Sequence, residues 1–226
     1  MAVYCIGMKI LIIGSGGREH AIGLKLQQST HQPELYFAPG NAGTSECGTN
    51  IAIKEANIDE LIEFVKENQI DITFVGPEAP LVNGIVDQFE NEQLSIIGPS
   101  KAAAQLEGSK DWSKQLMKKY NIPTANFETF TTFEAAKQYL LQTNIYPIVI
   151  KADGLAAGKG VTVAQDESHA IQALEDCFIN NKFSSAGQKV VIEECLFGQE
   201  ASIFAFTDGE TMYPMMPAQD HKANFD

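Results

Sequence analysis

Short apolar runs alternate with helical stripes along this chain. Lys9 to Ile13 (KILII) is continuously apolar after its lysine, the mark of a strand buried on both faces. It leads into Gly14-Ser-Gly-Gly-Arg-Glu-His20 and an apolar-periodic helix to about Gln28, and ELYFAPGN follows as a second strand. Ile58, Leu61, Ile62 and Val65 mark the next helix face, with Asn57 and Glu60 spaced as a capping pair. Ile70 to Val75 predicts a strand ending in Gly76-Pro-Glu-Ala-Pro80. Leu81, Val82, Ile85, Val86 and Phe89 form a helix face, and Leu94 to Ile97 is a strand stopped by Gly98-Pro99. Strands followed by helices at this rhythm predict an α/β fold with a parallel, doubly wound, Rossmann-like sheet. In such sheets ligands sit beyond the carboxyl ends of the strands. Three of those ends, GSGGREH, APGNAG and GPEAPL, carry glycine or polar turns and should face one crevice.

The rhythm changes between Ser100 and Gly108. A short helix over 102–106 gives way to Gly108-Ser-Lys-Asp and a long helix with Trp112, Leu116 and Tyr120 on one face. A boundary near Gly108 divides the chain into a first domain, 8–108, and a second, 109–226. In the second, Asn126 to Phe130 is a strand and Thr132 caps a helix over 133–141. Pro147 to Ile150 is a strand that ends in Lys151. Gly154, Gly158, Lys159 and Gly160 follow, and the apolar residues resume at Val161. Strand, glycine turn and strand make a hairpin whose tip can fold over phosphates. Glycine lets backbone N–H groups approach an anion closely, and each lysine adds a point charge. This is no Walker A loop: the glycine spacing differs, no Ser or Thr follows the lysine, and a strand stands where a helix should. A helix over 166–179, a strand over 189–192 running into Glu193-Glu-Cys-Leu-Phe-Gly-Gln-Glu200, and a strand over 201–206 turned at Asp208-Gly209 complete the pattern.

The chain has 226 residues and a net charge of −13, with 44% hydrophobic and 20% charged residues. That is enough chain for one large or two modest domains. The acidic balance argues against general nucleic-acid or membrane-surface binding, so an anionic ligand must be held by local basic groups. No apolar run is long enough to span a bilayer. MAVYCIG lacks the basic segment and apolar stretch of a signal peptide, and MKILIIG from Met8 already contains a complete first strand. A cytoplasmic protein is expected, its scattered cysteines (Cys5, Cys47, Cys177, Cys195) reduced. His31 and His169 look like surface residues, and no histidine pairing suggests zinc.

The first glycine turn invites a dinucleotide reading, but Glu19 stands at the third fingerprint glycine. The second strand also ends in Ala-Pro-Gly where an acid should hold a ribose diol. A phosphate or phosphosugar at Gly16, Gly17 and Arg18, on a helix N-terminus, is the better expectation.

The second half resembles an ATP-grasp domain, on Lys110 before the long helix, Lys151 before the glycine hairpin, and VVIEECLFGQE as the hinge. The resemblance implies ATP between two antiparallel sheets. The Glu194 carbonyl and Leu196 N–H would read the adenine edge beside Glu193, and Glu200 would accept the ribose hydroxyls. Lys110 and Lys151 would neutralise the inner phosphates, with Gly154, Gly158, Lys159 and Gly160 closing over the outer ones. Together with GSGGREHA, APGNAGT, VGPEAPL, GPSKAAAQLEGSK, VIKADGLAAGKGV and PAQDHK, the chain is similar to the glycinamide ribonucleotide synthetase (phosphoribosylamine–glycine ligase) family. That similarity implies a ligase of purine biosynthesis. ATP, with Mg2+ or Mn2+, phosphorylates glycine, and 5-phosphoribosylamine then attacks the acyl phosphate. It further implies Gly16, Gly17, Arg18 and Glu19 near one end of the amino sugar phosphate, ribose contacts from Asn41, Gly43 and Glu78, and Asp220 near the glycine amine. It assigns no certain catalytic residue within this chain.

After QDHK the family continues with an arginine and a glycine-rich run, whereas this chain reads Ala-Asn-Phe-Asp. The expected metal ligands therefore lie beyond Asp226, the ATP-grasp domain is expected to be truncated, an incomplete α+β unit, and turnover from this chain alone is not expected. Small molecules are the expected partners, with neither nucleic acid nor membrane; oligomeric state is open. A phosphosugar- or nucleotide-binding module without turnover, another ATP-grasp carboxylate–amine ligase and an NAD-dependent oxidoreductase are the competing readings.

Overall fold

The computed structural model describes residues 7–156 and 159–219; Gly158 and Asp220, both singled out above, lie outside the described residues. In the first half, β1 (Lys9–Gly14), β2 (Glu34–Pro39), β3 (Thr49–Asn50), β4 (Ile72–Val75) and β5 (Ile96–Ile97) form one sheet. Its order is β3-β2-β1-β4-β5 and every pairing is parallel. The short β3 has no apolar pattern, which is why nothing in the sequence signals it.

Successive residues of β1 point to opposite faces. Ile10 and Ile12 join Leu35 and Phe37 under α1 (Gly17–Gln27), which contributes Ile22 and Leu26. Leu11 and Ile13 pack on the other face with Leu61 and Val65 of α2 (Ile58–Asn68). α3 (Glu78–Asn83) follows, and α4 (Ile85–Asn91) adds Ile85 and Phe89 to that same core. Both faces are covered, so Ile10 to Ile13 must be apolar throughout. Strand order reverses between β1 and β4, and the loops after these two strands therefore flank a switch-point crevice.

α5 (Lys101–Gly108) and α6 (Lys110–Lys119) meet at Ser109, whose hydroxyl caps α6 by accepting from the Trp112 N–H. β6 (Phe127–Phe130), α7 (Phe133–Thr143), β7 (Ile148–Ala152), β8 (Val161–Ala164), α8 (Glu167–Phe178) and β9 (Val190–Glu194) follow. The four strands form an antiparallel sheet in the order β6-β9-β7-β8. Ile148, Ile150, Val190 and Ile192 face Ala136, Leu140, Ala170 and Leu174 of α7 and α8. The alternate positions, Val149, Lys151, Val191 and Glu193, therefore share the opposite face, and the register sets Glu193 between Phe127 and Val149.

β10 (Ala205–Thr207) and β11 (Met212–Pro214) make a separate antiparallel pair, and Phe204, Phe206, Met212 and Tyr213 stand exposed there. The strand expected over 201–206 is confined to the residues opposite β11, with Ser202 in an isolated bridge to Ala218. The turn at Asp208-Gly209 is as predicted: the Asp208 carboxylate accepts the Glu210 and Thr211 N–H groups.

One local expectation fails. Asn57 does not cap α2 through its side chain. Its backbone sits at φ −90°, ψ 69°, outside the extended conformation a cap adopts, and its amide donates to Glu60 at 2.9 Å. On α6, Trp112 is 41% exposed and Tyr120, just past the helix end, 61% exposed, while Ser113 and Lys114 are buried. The turn of α6 that carries them lies over the sheet, where the Lys114 ammonium finds a carboxylate.

Candidate active site

The loop after β1 is held from below by Glu19. Its side chain turns back under the first turn of α1, and Oε2 accepts the Gly16 N–H at 2.6 Å. A Cβ at Gly14 or Gly76 would overlap this carboxyl group, so both strand ends need glycine for it to fit. This explains why an acid replaces the third fingerprint glycine. Arg18, also in that first turn, donates to the Gly76 carbonyl at 2.8 Å and to Glu78 Oε1 at 3.1 and 3.0 Å, tying the β1 loop to the β4 loop. The Glu78 carboxyl lies below its ordinary range because its own backbone N–H, then Arg18, favour the charged form over the opposing effect of burial.

Asn41 joins the third loop. Its amide donates to the carbonyls of Ser15 and Gly16, and its Oδ1 accepts the N–H groups of Gly43 and Thr44. Two donors and two acceptor sites are all a side-chain amide has. Asn41 is therefore a brace, with its side-chain amide fully engaged by backbone. Gly43 leaves room for the His20 ring, which a Cβ would strike. A crevice of about 360 Å³ opens between the loops, lined by Ser15, Gly16, Gly17, Arg18, Glu55 and Glu78, with Glu19 beneath. Glu55 is new: it sits in an irregular segment with no motif around it.

We expect Arg18→Ala to weaken ribose 5-phosphate binding by about 1.5–3 kcal/mol, the range for a charge-assisted hydrogen bond. Its effect on folding should be small, because the Arg18–Glu78 pair is surface-exposed. Calorimetry beside a thermal melt checks both; unchanged affinity would remove Arg18 from the site.

In the second half, Lys110, Lys114 and Lys151 converge on the sheet face opposite α7 and α8. Lys110 Nζ donates to the Gly154 carbonyl at 3.0 Å, at the root of the glycine hairpin. Burial pushes its ammonium below the ordinary lysine range, and the neighbouring Lys151 charge adds to this, against the pull of Asp153, Glu107 and Glu193. Lys151 and Lys114 both reach Glu193 Oε2, at 3.0 and 2.9 Å. Glu194 braces the start of β6, its carboxylate accepting the Asn126 N–H at 2.8 Å, and Leu196 lies exposed beyond β9. A Cβ at Gly160 would come within 2.7 Å of the Ala156 methyl, and one at Gly154 would stand tightly at 3.0 Å from that of Ala186, while Lys159 is exposed.

A second cluster anchors the hairpin. The Asp153 carboxylate accepts the Ser109 hydroxyl and the Asp111 N–H, and its carbonyl accepts the Lys110 N–H. Lys189 bridges Asp111 at 2.9 Å and Asp153 at 3.8 Å. Burial raises the Asp111 carboxyl, but the bonds from Lys189, Thr129 and Gln115 outweigh it and hold that group low. Neither this cluster nor Lys114 is visible in the sequence, since most of their partners lie tens of residues away.

A switch-point crevice on a parallel sheet, joined to an antiparallel sheet with a lysine-rooted glycine hairpin, defines the ATP-grasp class. Two family models divide the chain: phosphoribosylglycinamide synthetase, N domain, over residues 8–107, and phosphoribosylglycinamide synthetase, ATP-grasp (A) domain, over residues 108–226. The chain belongs to the phosphoribosylglycinamide synthetase family.

It is 56% identical to the phosphoribosylamine–glycine ligase of Halalkalibacterium halodurans over 97% of this chain and 51% of that protein. Against the ligase of Clostridium acetobutylicum the figures are 50%, 97% and 52%. The chain thus spans about half the length of the curated relatives it matches. A crystal structure of the Thermotoga maritima ligase superposes with a TM-score of 0.73 at 33% identity, covering 92% of this chain and 49% of that one. The fold alone extends to N5-carboxyaminoimidazole synthase of Aspergillus clavatus, solved with ADP and 5-aminoimidazole ribonucleotide: TM-score 0.72, 13% identity, 98% of this chain and 55% of that one. Among the described residues, no helix is long and apolar enough to cross a membrane.

Proposed function

We propose that this chain supplies the phosphosugar and nucleotide sites of an ATP-dependent carboxylate–amine ligase that joins glycine to 5-phosphoribosylamine. The observation that carries this reading is the convergence of Lys110 and Lys151 at the root of the glycine hairpin, with Lys114 beside Lys151 on Glu193, in a family member whose net charge is −13. A triphosphate is the ligand that such a local excess of cation suits. Lys110 and Lys151 meet the inner phosphates and the hairpin covers the outer ones. The backbone after Glu193, through the Glu194 carbonyl and Leu196 N–H, takes the adenine edge, with Glu200 toward the ribose. Gly16, Gly17 and Arg18 receive the phosphosugar, while Glu78 meets its hydroxyls from across the crevice.

The chemistry follows from the substrate. A carboxylate has no good leaving group; phosphorylation of glycine supplies one, and the amine of the sugar then displaces phosphate. A divalent ion arriving with the triphosphate supplies charge neutralisation during transfer. Among the described residues no group of three or more His, Cys, Asp or Glu side chains is gathered to hold a metal. What these residues do is bind and orient.

Lys151→Ala should weaken ATP by at least about tenfold, the scale of a lost charge-assisted bond, and leave adenosine nearly unaffected, because only ATP brings phosphates to the lysine. Calorimetry with ATP–magnesium, adenosine and NAD tests this. Equal losses for ATP and adenosine, or stabilisation by NAD alone, would overturn the reading.

A further inference from the structure

Glu193 carries more cation than it needs. Its side chain is 5% exposed, and a single oxygen, Oε2, faces both Lys114 and Lys151 at 2.9 and 3.0 Å. The other oxygen, Oε1, is buried with no hydrogen-bond partner among the described residues. A buried carboxylate with one lysine would be satisfied as an ion pair. Two lysines on one oxygen, with the second oxygen unpaired among the described residues, is an arrangement suited to a change of partner.

The lysines differ in how firmly they are held. Lys114, its side chain 10% exposed, has three oxygens around its ammonium: Glu193, the Thr124 hydroxyl at 2.8 Å and the Ala125 carbonyl at 3.3 Å. The contacts to Thr124 and Ala125 are hydrogen bonds and the one to Glu193 is an ion pair. Its charge also lies 5.5 Å from the centre of the Phe127 ring. Lys151 is 27% exposed, and among the described residues its ammonium bonds only to Glu193. It stands near the end of β7, where the chain enters the glycine hairpin. Lys114 is fixed and Lys151 is free to turn.

We infer that Lys114 is a positioning residue that keeps Glu193 neutralised when Lys151 leaves it for the phosphates of a bound nucleotide. The inference rests on the nucleotide reading proposed above. Its physical basis is the asymmetry of buried charge: removing one partner of a buried pair leaves an uncompensated ion, which is strongly unfavourable. Without Lys114, every phosphate contact made by Lys151 would strand Glu193 in that state. With Lys114 in place, Glu193 retains a cation throughout, and Lys151 serves the ligand without that penalty. Lys114 thus acts on phosphate binding without touching phosphate.

The test measures ATP and adenosine affinities by calorimetry for the wild-type chain, Lys114→Met, Glu193→Gln and the double variant. The rate of Lys151 acylation, read by mass spectrometry without nucleotide, is measured alongside. Lys114→Met should lower ATP affinity at least about tenfold while adenosine changes little, because the stranded charge arises only when phosphates recruit Lys151. In the Glu193→Gln background the same substitution should have almost no effect on the ATP-to-adenosine ratio, since no anion is left to strand. Lys151 should be acylated more slowly in Lys114→Met, being then the sole partner of Glu193. Equal losses of ATP and adenosine would overturn the inference. So would a double variant in which Lys114→Met still costs the full loss of ATP affinity relative to Glu193→Gln alone. A wild-type chain that binds ATP no better than adenosine sinks the nucleotide reading instead; the labelling arm then decides, and unchanged Lys151 acylation rejects the coupling.

Discussion

Asp153→Ala should destabilise the second half of the chain by about 2–4 kcal/mol, the range for breaking a buried charged network. Asp153 lies just past β7 and works in three directions. Its carboxylate, 14% exposed, accepts the Ser109 hydroxyl and the Asp111 N–H, one of the orphan donors at the start of α6. Its negative charge stands where the N-terminus of α6 favours one, and it shares Lys189 with Asp111. Its backbone carbonyl meanwhile accepts from Lys110 and its N–H donates to Lys189. Alanine removes the carboxylate only, leaving the Asp111 N–H without its partner and the root of the hairpin loosely tied to the helix that carries Lys110 and Lys114. Asparagine retains an acceptor and should lose about half as much or less, as a neutral bond replaces a charged one. Urea unfolding followed by the single tryptophan, Trp112 on α6, reads this directly. An alanine variant within about 0.5 kcal/mol of wild type, the level of an ordinary surface substitution, would show that Asp153 anchors nothing.

Glu19→Ala should have a comparable effect on the first half, about 2–4 kcal/mol, and should abolish ribose 5-phosphate binding with it. The side chain is 4% exposed and holds the Gly16 N–H from beneath. Truncation leaves that donor unsatisfied and opens a void against Gly14 and Gly76, two positions shaped around the carboxyl. The loop bearing Gly16, Gly17 and Arg18 then loses its floor. Glu19→Gln retains an acceptor of nearly the same shape and should preserve most of both properties. Amide exchange across 14–18, with calorimetry, distinguishes the cases; an alanine variant that binds the phosphosugar normally would reduce Glu19 to filler.

The sequence is legible wherever structure is local. KILII, IDITFV and the turns after them place the parallel sheet and its crevice, because burial on both faces demands continuous apolar runs. PIVIKADGLAAGKGVTVA yields its two paired strands for the same reason. What escapes is whatever depends on a distant partner. Lys114 looks like one more polar position on α6 until β9 brings Glu193 to it. Asp153 reads as a turn residue because Ser109, Asp111 and Lys189 lie far off in sequence. The four backbone bonds of the Asn41 side-chain amide, two of them to residues after β1, are likewise invisible in the sequence. In each case local pattern gives the residue's position and tertiary contact gives its work.

The same four bonds of Asn41 bear on the thermodynamics of occupancy. Loops that must order around a ligand surrender conformational entropy at that moment, and the affinity falls accordingly. Here the loops after β1 and β2 are already cross-braced by Asn41, and Arg18 fastens the loop after β4 to them. A ligand entering this crevice meets a preorganised rim, so the cost of ordering these loops is largely removed from binding, leaving the ligand's own loss of freedom and its desolvation to set against the contacts it makes.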